Sequence, residues 1–498
     1  MGILIHDNKK ITRLILFFCG LLILAYTVIR ASLLSITSDE SHTFIEFVNK
    51  GIIFLSTYDR ASANDHFLNT WLMEITTYIF GINELSLRLP NLLAHFLFLL
   101  FSARLLLKFQ SPILIICSFL ILNLNPFLLD FFMLARGYGI AIGLMMISLF
   151  YSYLFTVEKQ PYIYAFISIF VSALAVLASF TLIGYLLVNA SILILFNLHR
   201  IIIKEKKNKT KFMTSIIIQS VVLLSPLSVL LFALPVILNM NHSTALFWGG
   251  ETGFWKDSVF SLITGLTYDH PFMRHLRNGI QIGVIIVLIT SIIMIFAGYR
   301  KTKSTERYSF MSSLFVILFI CFLMNFFEYQ VLGILYLQER TALFYFPLFI
   351  LLMAFLFDDL IRQRSKLFTG IIVGIAVLFL CNFIVNINFH YVKSWKKEAD
   401  TKDLIEYITQ NKSALCNGEK RVSLSVFKWC WLYDNDIYYY KQRNHLDWLN
   451  FTGYYYYKDA TDFVFLDKRD VDSLYNPSLR FAKDFPCSDM KLYVKMGK

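Results

Sequence analysis

Two adjacent carboxylates, Asp39 and Glu40, follow an apolar run of roughly the 20 residues needed to cross a bilayer, in the sequence LLSITSDESH. A carboxylate so placed can act as general base, taking the proton of an attacking hydroxyl within hydrogen-bond reach, or it can ligate a cation. An acidic pair at a helix end can equally be solvated. Asn64, Asp65 and His66 stand before the amphipathic stretch FLNTWLM. They either cap that helix or support Asp39 and bind substrate, and His66 has no His partner at helical metal-ligand spacing. Arg88 lies at the start of the next apolar run. Asp130 and Arg136 interrupt an apolar hairpin, NPFLLDFFMLARGYG. They pair with each other, or the planar fork of Arg136 meets a phosphate. Gly137 and Gly139, flanking Tyr138, would let backbone approach a ligand closely. Arg340, after Glu339, opens a late apolar run and either snorkels to the interface or holds an anionic lipid head group.

The elements that must position these residues are membrane helices. The chain has 498 residues, 57% hydrophobic and 16% charged, against roughly 25% charged in a soluble domain. Spans are expected near 11–34, 88–107, 111–133, 138–156, 161–180, 182–203, 213–238, 278–298, 308–327, 340–357 and 367–388, eleven in all, with the turn at Phe180-Thr181 the least defined. The pattern is an all-α polytopic membrane protein; segments of about ten alternating residues, as in a membrane β-barrel, are not seen. The net charge of +12 sits in short loops rather than in a basic groove, which argues against nucleic acid. With the N-terminus cytoplasmic, inner segments hold nineteen Lys and Arg and outer segments before residue 391 hold nine, the sense of the positive-inside rule. This places the chain in the cell membrane as a multi-pass protein with its C-terminal region outside. It also puts every candidate residue named above at or near an outer end. The first apolar run exceeds a signal peptide's core and reads as an uncleaved span.

The membrane domain is expected over 1–390, with a long first outer loop over 35–87 holding two amphipathic stretches that lie on the interface. A second outer loop, 239–277, carries Trp248 and Trp255. From Tyr391 the composition changes, with 18 Lys/Arg and 15 Asp/Glu in the remaining residues. Residues 391–498 are expected as a small extracytoplasmic soluble α/β domain. EADTKDLIEYITQ reads as a helix, and RVSLSVF, DIYYYK, DFVFLD and KLYVKM as strands. Cys416, Cys430 and Cys487 in this region allow one disulfide; Cys19, Cys117, Cys321 and Cys381 read as small core residues.

Taken together, these stretches resemble the GT-C fold glycosyltransferases, in the branch of protein O-mannosyltransferases and bacterial lipid A aminoarabinose transferases. The resemblance rests on Asp39-Glu40 after the first span, on DHFLN at 65–69, on ELSLRLPNLLAHF at 84–96, on ARGYGIAIG at 135–143 and on ERTALFYFPLF at 339–349. Phe67 stands where many relatives have Pro, and Thr341 where Tyr is more usual. The resemblance implies a polyprenyl-phosphate sugar donor, a lipid, glycan or protein acceptor, and inverting transfer to an acceptor hydroxyl on the outer face. It implies Asp39 as base, with Glu40 and Asp130 as further catalytic candidates. Asp65, His66, Arg88, Arg136, Tyr138 and Arg340 are the implied donor- and substrate-binding residues. No Asp-x-Asp pair occurs in the first loop, so a metal-independent reaction without cofactor is favoured over a divalent-metal one. Two other classes fit the same composition: a transporter or flippase of a lipid-linked sugar, which would place its charges near the midplane, and a catalytically silent envelope protein.

Overall fold

The computed structural model describes residues 2–51, 66–205, 209–242, 249–268, 270–301, 305–362, 366–415, 421–427, 430–454, 461–473 and 478–495. Asp65, Trp248 and Cys416 lie outside them. The chain divides into two compact units. One comprises Met1–Thr27, Tyr58–Asn69 and Asn91–Ile387, the other Val28–Thr57, Thr70–Pro90 and Asn388–Lys498. The residues after 390 therefore share their unit with two pieces of the first outer loop, far away in sequence.

The longer helices are α1 (Gly2–Leu33), α2 (Ser38–Glu46), α3 (Phe67–Phe80), α4 (Glu84–Leu106), α5 (Pro112–Asn123), α6 (Pro126–Met133), α7 (Gly137–Thr156), α8 (Tyr162–Ala178), α9 (Ile183–Glu205), α10 (Lys209–Leu224), α11 (Val229–His242), α12 (Arg277–Lys301), α13 (Thr305–Leu332), α14 (Tyr345–Arg362) and α15 (Lys366–Val385). Among the described residues, eight helices are long and apolar enough to cross a membrane, or nine if the bent pair α5–α6 is one span. The expected count of eleven is not reached on length and composition. The remaining two segments are helical, but α8 has 17 residues, and α14 ends in Asp358, Asp359 and Arg362. The chain is a multi-pass helical membrane protein with a small C-terminal α/β region.

Two local features shape the membrane unit. The expected single span at 111–133 is broken by 60° between α5 and α6. Asn125 caps α6, its side-chain oxygen accepting the Leu128 amide at 3.1 Å, and Pro126 takes the first helical position, where its missing N–H costs nothing. Helices α7, α8 and α9 share a buried cluster of hydroxyls and one amide. Ser148 Oγ lies within 3.0 Å of the hydroxyls of Ser168, Ser172 and Tyr185, and Asn189 donates to the three serines. In a bilayer, such small polar residues are what hold apolar helices in one register.

In the other unit, helices α16 (Thr401–Leu415) and α17 (Cys430–Arg443) accompany a five-stranded sheet. Its strands are β1 (Val422–Val426), β2 (Leu449–Tyr454), β3 (Phe463–Asp467), β4 (Leu479–Phe485) and β5 (Met490–Lys495), in the order β2-β1-β3-β5-β4. β1 pairs in parallel with β2 and β3, while β5 runs antiparallel to β3 and β4. Three expected strands are present, but DIYYYK lies inside α17 instead. Tyr433, Ile437 and Tyr440, at helical spacing, are all buried, while Tyr438 is exposed. Burial of that stripe overrides the local strand preference of Ile and Tyr. Phe44 of α2 packs edge-on against Tyr439 at 5.4 Å, which ties the first loop into this unit. Cys487 is a free thiol.

Asp467, at the end of β3, receives Lys397 Nζ at 2.7 Å and the Arg469 fork at 2.9 and 3.1 Å. Arg469 first, then Lys397, hold its carboxyl well below the usual carboxylate range. A lowered pKa stabilises the fold above the unfolded-state value and ceases to do so as the pH falls through the folded-state value. Asp467→Asn is therefore expected to lower the melting temperature by a few degrees at neutral pH, with the gap to wild type closing in acid, as read by thermal melting across pH.

Candidate functional site

In the second unit the site begins with the turn from α1 into α2. Thr37 and Glu40 form a reciprocal capping box. Glu40 Oε2 accepts the Thr37 amide at 3.0 Å, and the Thr37 hydroxyl oxygen accepts the Glu40 amide at 3.4 Å. Arg88, near the start of α4, grips the same carboxylate through Nε at 2.9 Å and Nη2 at 2.7 Å. Its other donors reach the carbonyls of Ala31, Leu34 and Ser35. Both side chains are fully buried. All five N–H groups of Arg88 are used within the protein, where it holds the end of α1 and the start of α2. Glu40 is both cap and counter-ion in this arrangement. Asp39, on the same helical turn, is half-buried.

In the first unit a second group is assembled around the turn from α6 into α7. Asn69 of α3 donates to the Ala135 carbonyl at 3.0 Å and accepts from Asn91 of α4 at 2.8 Å. These amides hold the turn that carries Arg136, which is buried at the N-cap of α7. The backbone is tightly opposed here. A Cβ on Gly137 would lie 1.9 Å from the Ala178 carbonyl and 2.6 Å from the His66 ring, and one on Gly139 would lie 2.4 Å from the Phe131 carbonyl. The close approach expected of both glycines is thus to the protein's own chain.

His66 is buried between these parts. Its Nδ1 lies 2.9 Å from the Ala178 carbonyl, and its ring packs edge-on against Tyr138 at 4.8 Å. Burial, then the charge of Arg136 and more weakly that of Arg340, hold its pKa well below the usual histidine value. The ring is therefore neutral. A carbonyl can only accept, so Nδ1 carries the proton and Nε2 offers a lone pair. Nε2 is buried with no hydrogen-bond partner among the described residues.

Arg340 itself is half-buried in the 3-10 turn Glu339–Ala342, where Gln338 and Thr341 cap each other. The Glu339 amide donates to Ser261 Oγ at 2.9 Å, and Glu339 takes a left-handed φ of 47°, a backbone cost met mainly at functional segments. Asp130 is buried and accepts the Tyr268 hydroxyl at 2.8 Å.

The structure brings His66, Tyr138, Arg136 and Arg340 into one electrostatic neighbourhood, and it joins Glu40 to Arg88. Sequence reasoning missed what TSDE signals at 37–40, since Thr-x-x-Glu is the capping-box pattern. It also missed Tyr268, for which no local signal exists. Among the described residues, no three His, Cys, Asp or Glu side chains are grouped to hold a metal ion.

No family model and no curated protein matches the sequence. Among solved structures, the chain is similar to ArnT from Cupriavidus metallidurans in the apo state. The TM-score is 0.51 and the identity 11%, over 97% of this chain and 98% of that one. The chain has an ArnT-like fold. ArnT from the same organism bound to undecaprenyl phosphate aligns at TM-score 0.48 and 9% identity, over 96% and 97% of the two chains. The ArnT-like fold extends over nearly the whole chain at low identity.

Replacing Arg88 by Met would leave the Glu40 charge buried and unpaired, a loss of about 3–5 kcal/mol. The double variant Arg88→Met/Glu40→Leu is expected to regain most of it, which a double-mutant cycle of unfolding free energies would measure. Gly137→Ala is expected to lower the melting temperature sharply, because neither the Ala178 backbone nor the buried His66 ring can yield to the added methyl.

Proposed function

We propose that this chain is a membrane glycosyltransferase of the GT-C type. It moves a sugar from a polyprenyl-phosphate carrier to an acceptor hydroxyl on the outer face of the membrane, with inversion. The observation that carries this reading is the ArnT-like fold along nearly the whole chain; ArnT is a lipid A aminoarabinose transferase. The motif resemblance and the chemistry of the two residue groups support it.

In this reading Asp39 accepts the proton of the acceptor hydroxyl as that oxygen bonds to the anomeric carbon. The bond from the anomeric carbon to the phosphate oxygen breaks on the opposite face, and the lipid phosphate leaves with the electron pair. One carboxylate suffices because a phosphate leaving group needs little protonation, unlike glycoside hydrolysis with its two carboxylates. Arg136 and Arg340 supply positive charge toward the leaving phosphate, so no metal is required for that task. The neutral His66 is unsuited to a phosphate; its Nε2 lone pair takes a sugar hydroxyl instead, with Tyr138 fixing the ring. Glu40 and Asp130, the latter bonded to Tyr268, are the further catalytic candidates.

Asp39→Asn is expected to lower transfer from a polyprenyl-phosphate sugar by about 10²–10⁴-fold while leaving donor binding intact. Undiminished transfer in that variant would remove Asp39 from the role. Arg136→Ala is expected to weaken binding of the lipid phosphate and lower the rate, and chelation of divalent metal to leave transfer unchanged. Movement of intact lipid-linked sugar across vesicles without cleavage would favour the transporter instead.

A further inference from the structure

The first turn of α2 is gripped by C-terminal residues of the same unit. Glu398 accepts the Ser38 amide at 2.6 Å on one oxygen and the Ser38 hydroxyl at 2.9 Å on the other. Asp436 accepts the Ser41 hydroxyl at 2.6 Å. Just before the cap, the Tyr440 hydroxyl oxygen accepts the Ile36 amide at 3.0 Å. Glu398 and Asp436 are both buried, and each holds a residue within two positions of Asp39. The reaction described above gives neither of them a task.

We propose that Glu398 and Asp436 are positioning residues of the transfer reaction, clamping the first turn of α2 through Ser38 and Ser41 so that the Asp39 carboxylate is held in its reacting orientation. The reaction named here rests on the transferase reading; the clamp rests on geometry. It makes the C-terminal region a working part of the site rather than an appended domain.

Charge accounts for the choice of groups. Asp39 and Glu40 of α2, Tyr433 and Tyr440 of α17, and Lys397 and Asp400 beside Glu398 are the titratable neighbours of the pair. Lys397 is engaged with Asp467, and Arg88 with Glu40. Burial first, then the nearby carboxylates, hold the carboxyls of Glu398 and Asp436 well above the usual carboxylate range. A raised pKa favours the protonated, uncharged form, so the clamp adds less negative charge beside the base than two ordinary carboxylates would. Ionising either group as the pH rises puts repulsion next to Asp39, and the loss of rate falls on the alkaline side.

The test uses the full chain in lipid nanodiscs with a polyprenyl-phosphate sugar. Glu398→Ala and Asp436→Ala are expected to lower kcat by about tenfold or more with the donor KM little changed, and to raise amide exchange across Ser38–Ser41. Glu398→Gln and Asp436→Asn keep an acceptor oxygen but cannot ionise. They are expected to retain most of the neutral-pH kcat and the exchange protection, and to lose the alkaline fall. Wild-type kcat in both Ala variants overturns the proposal, as does an alkaline fall that is identical in wild type and both isosteric variants. A wild type that transfers sugar from no such donor overturns the transferase reading and the reaction role with it; exchange at Ser38–Ser41 then decides the clamp alone.

Discussion

The end of the first membrane helix is closed by a guanidinium and a carboxylate that have both left water. Burying either alone would be prohibitive, and burying the two together is tolerable only if every donor and acceptor is satisfied. Arg88 meets that condition with five hydrogen bonds, two to Glu40 and three to the carbonyls of Ala31, Leu34 and Ser35. The Ala31 carbonyl is one that the helix end leaves without an intrahelical partner, and those of Leu34 and Ser35 lie just past the end. One ion pair therefore terminates α1, starts α2 and anchors α4.

The two groups differ in charge. At the start of α2 the buried Glu40 is paired with Arg88. In the other unit the guanidinium charges of Arg136 and Arg340 act on the neutral imidazole of His66. Amides rather than charges build the second group: Asn91 to Asn69 to the Ala135 carbonyl is a chain of neutral hydrogen bonds. It holds the turn that carries Arg136. Arg88, in the other unit, makes five hydrogen bonds within the protein.

The sequence alone determined the features that depend on near neighbours. Apolar runs matched to a bilayer placed the membrane helices, because hydrophobic length is a local property. The Thr-x-x-Glu cap at 37–40 was legible in the same way, although two adjacent acids drew attention to chemistry instead. Strands β1, β3 and β5 were readable from their apolar and β-branched runs. Low identity hid the overall likeness to ArnT, yet a few motifs in the right order still pointed to its fold class.

Only the tertiary structure decided what depends on residues far apart in the chain. That Glu40 forms a buried ion pair was decided by Arg88, 48 residues on. That Asp436–Lys441 is helix rather than strand was settled by burial of Tyr433, Ile437 and Tyr440 on one face. Glu398 and Asp436 reach α2 from 360 and 395 residues away, and nothing in the sequence around them announces it. Helical length and capping are written within a few residues of where they act. A buried charge takes its meaning from whichever group the fold brings to it, and that group has no fixed place in the sequence.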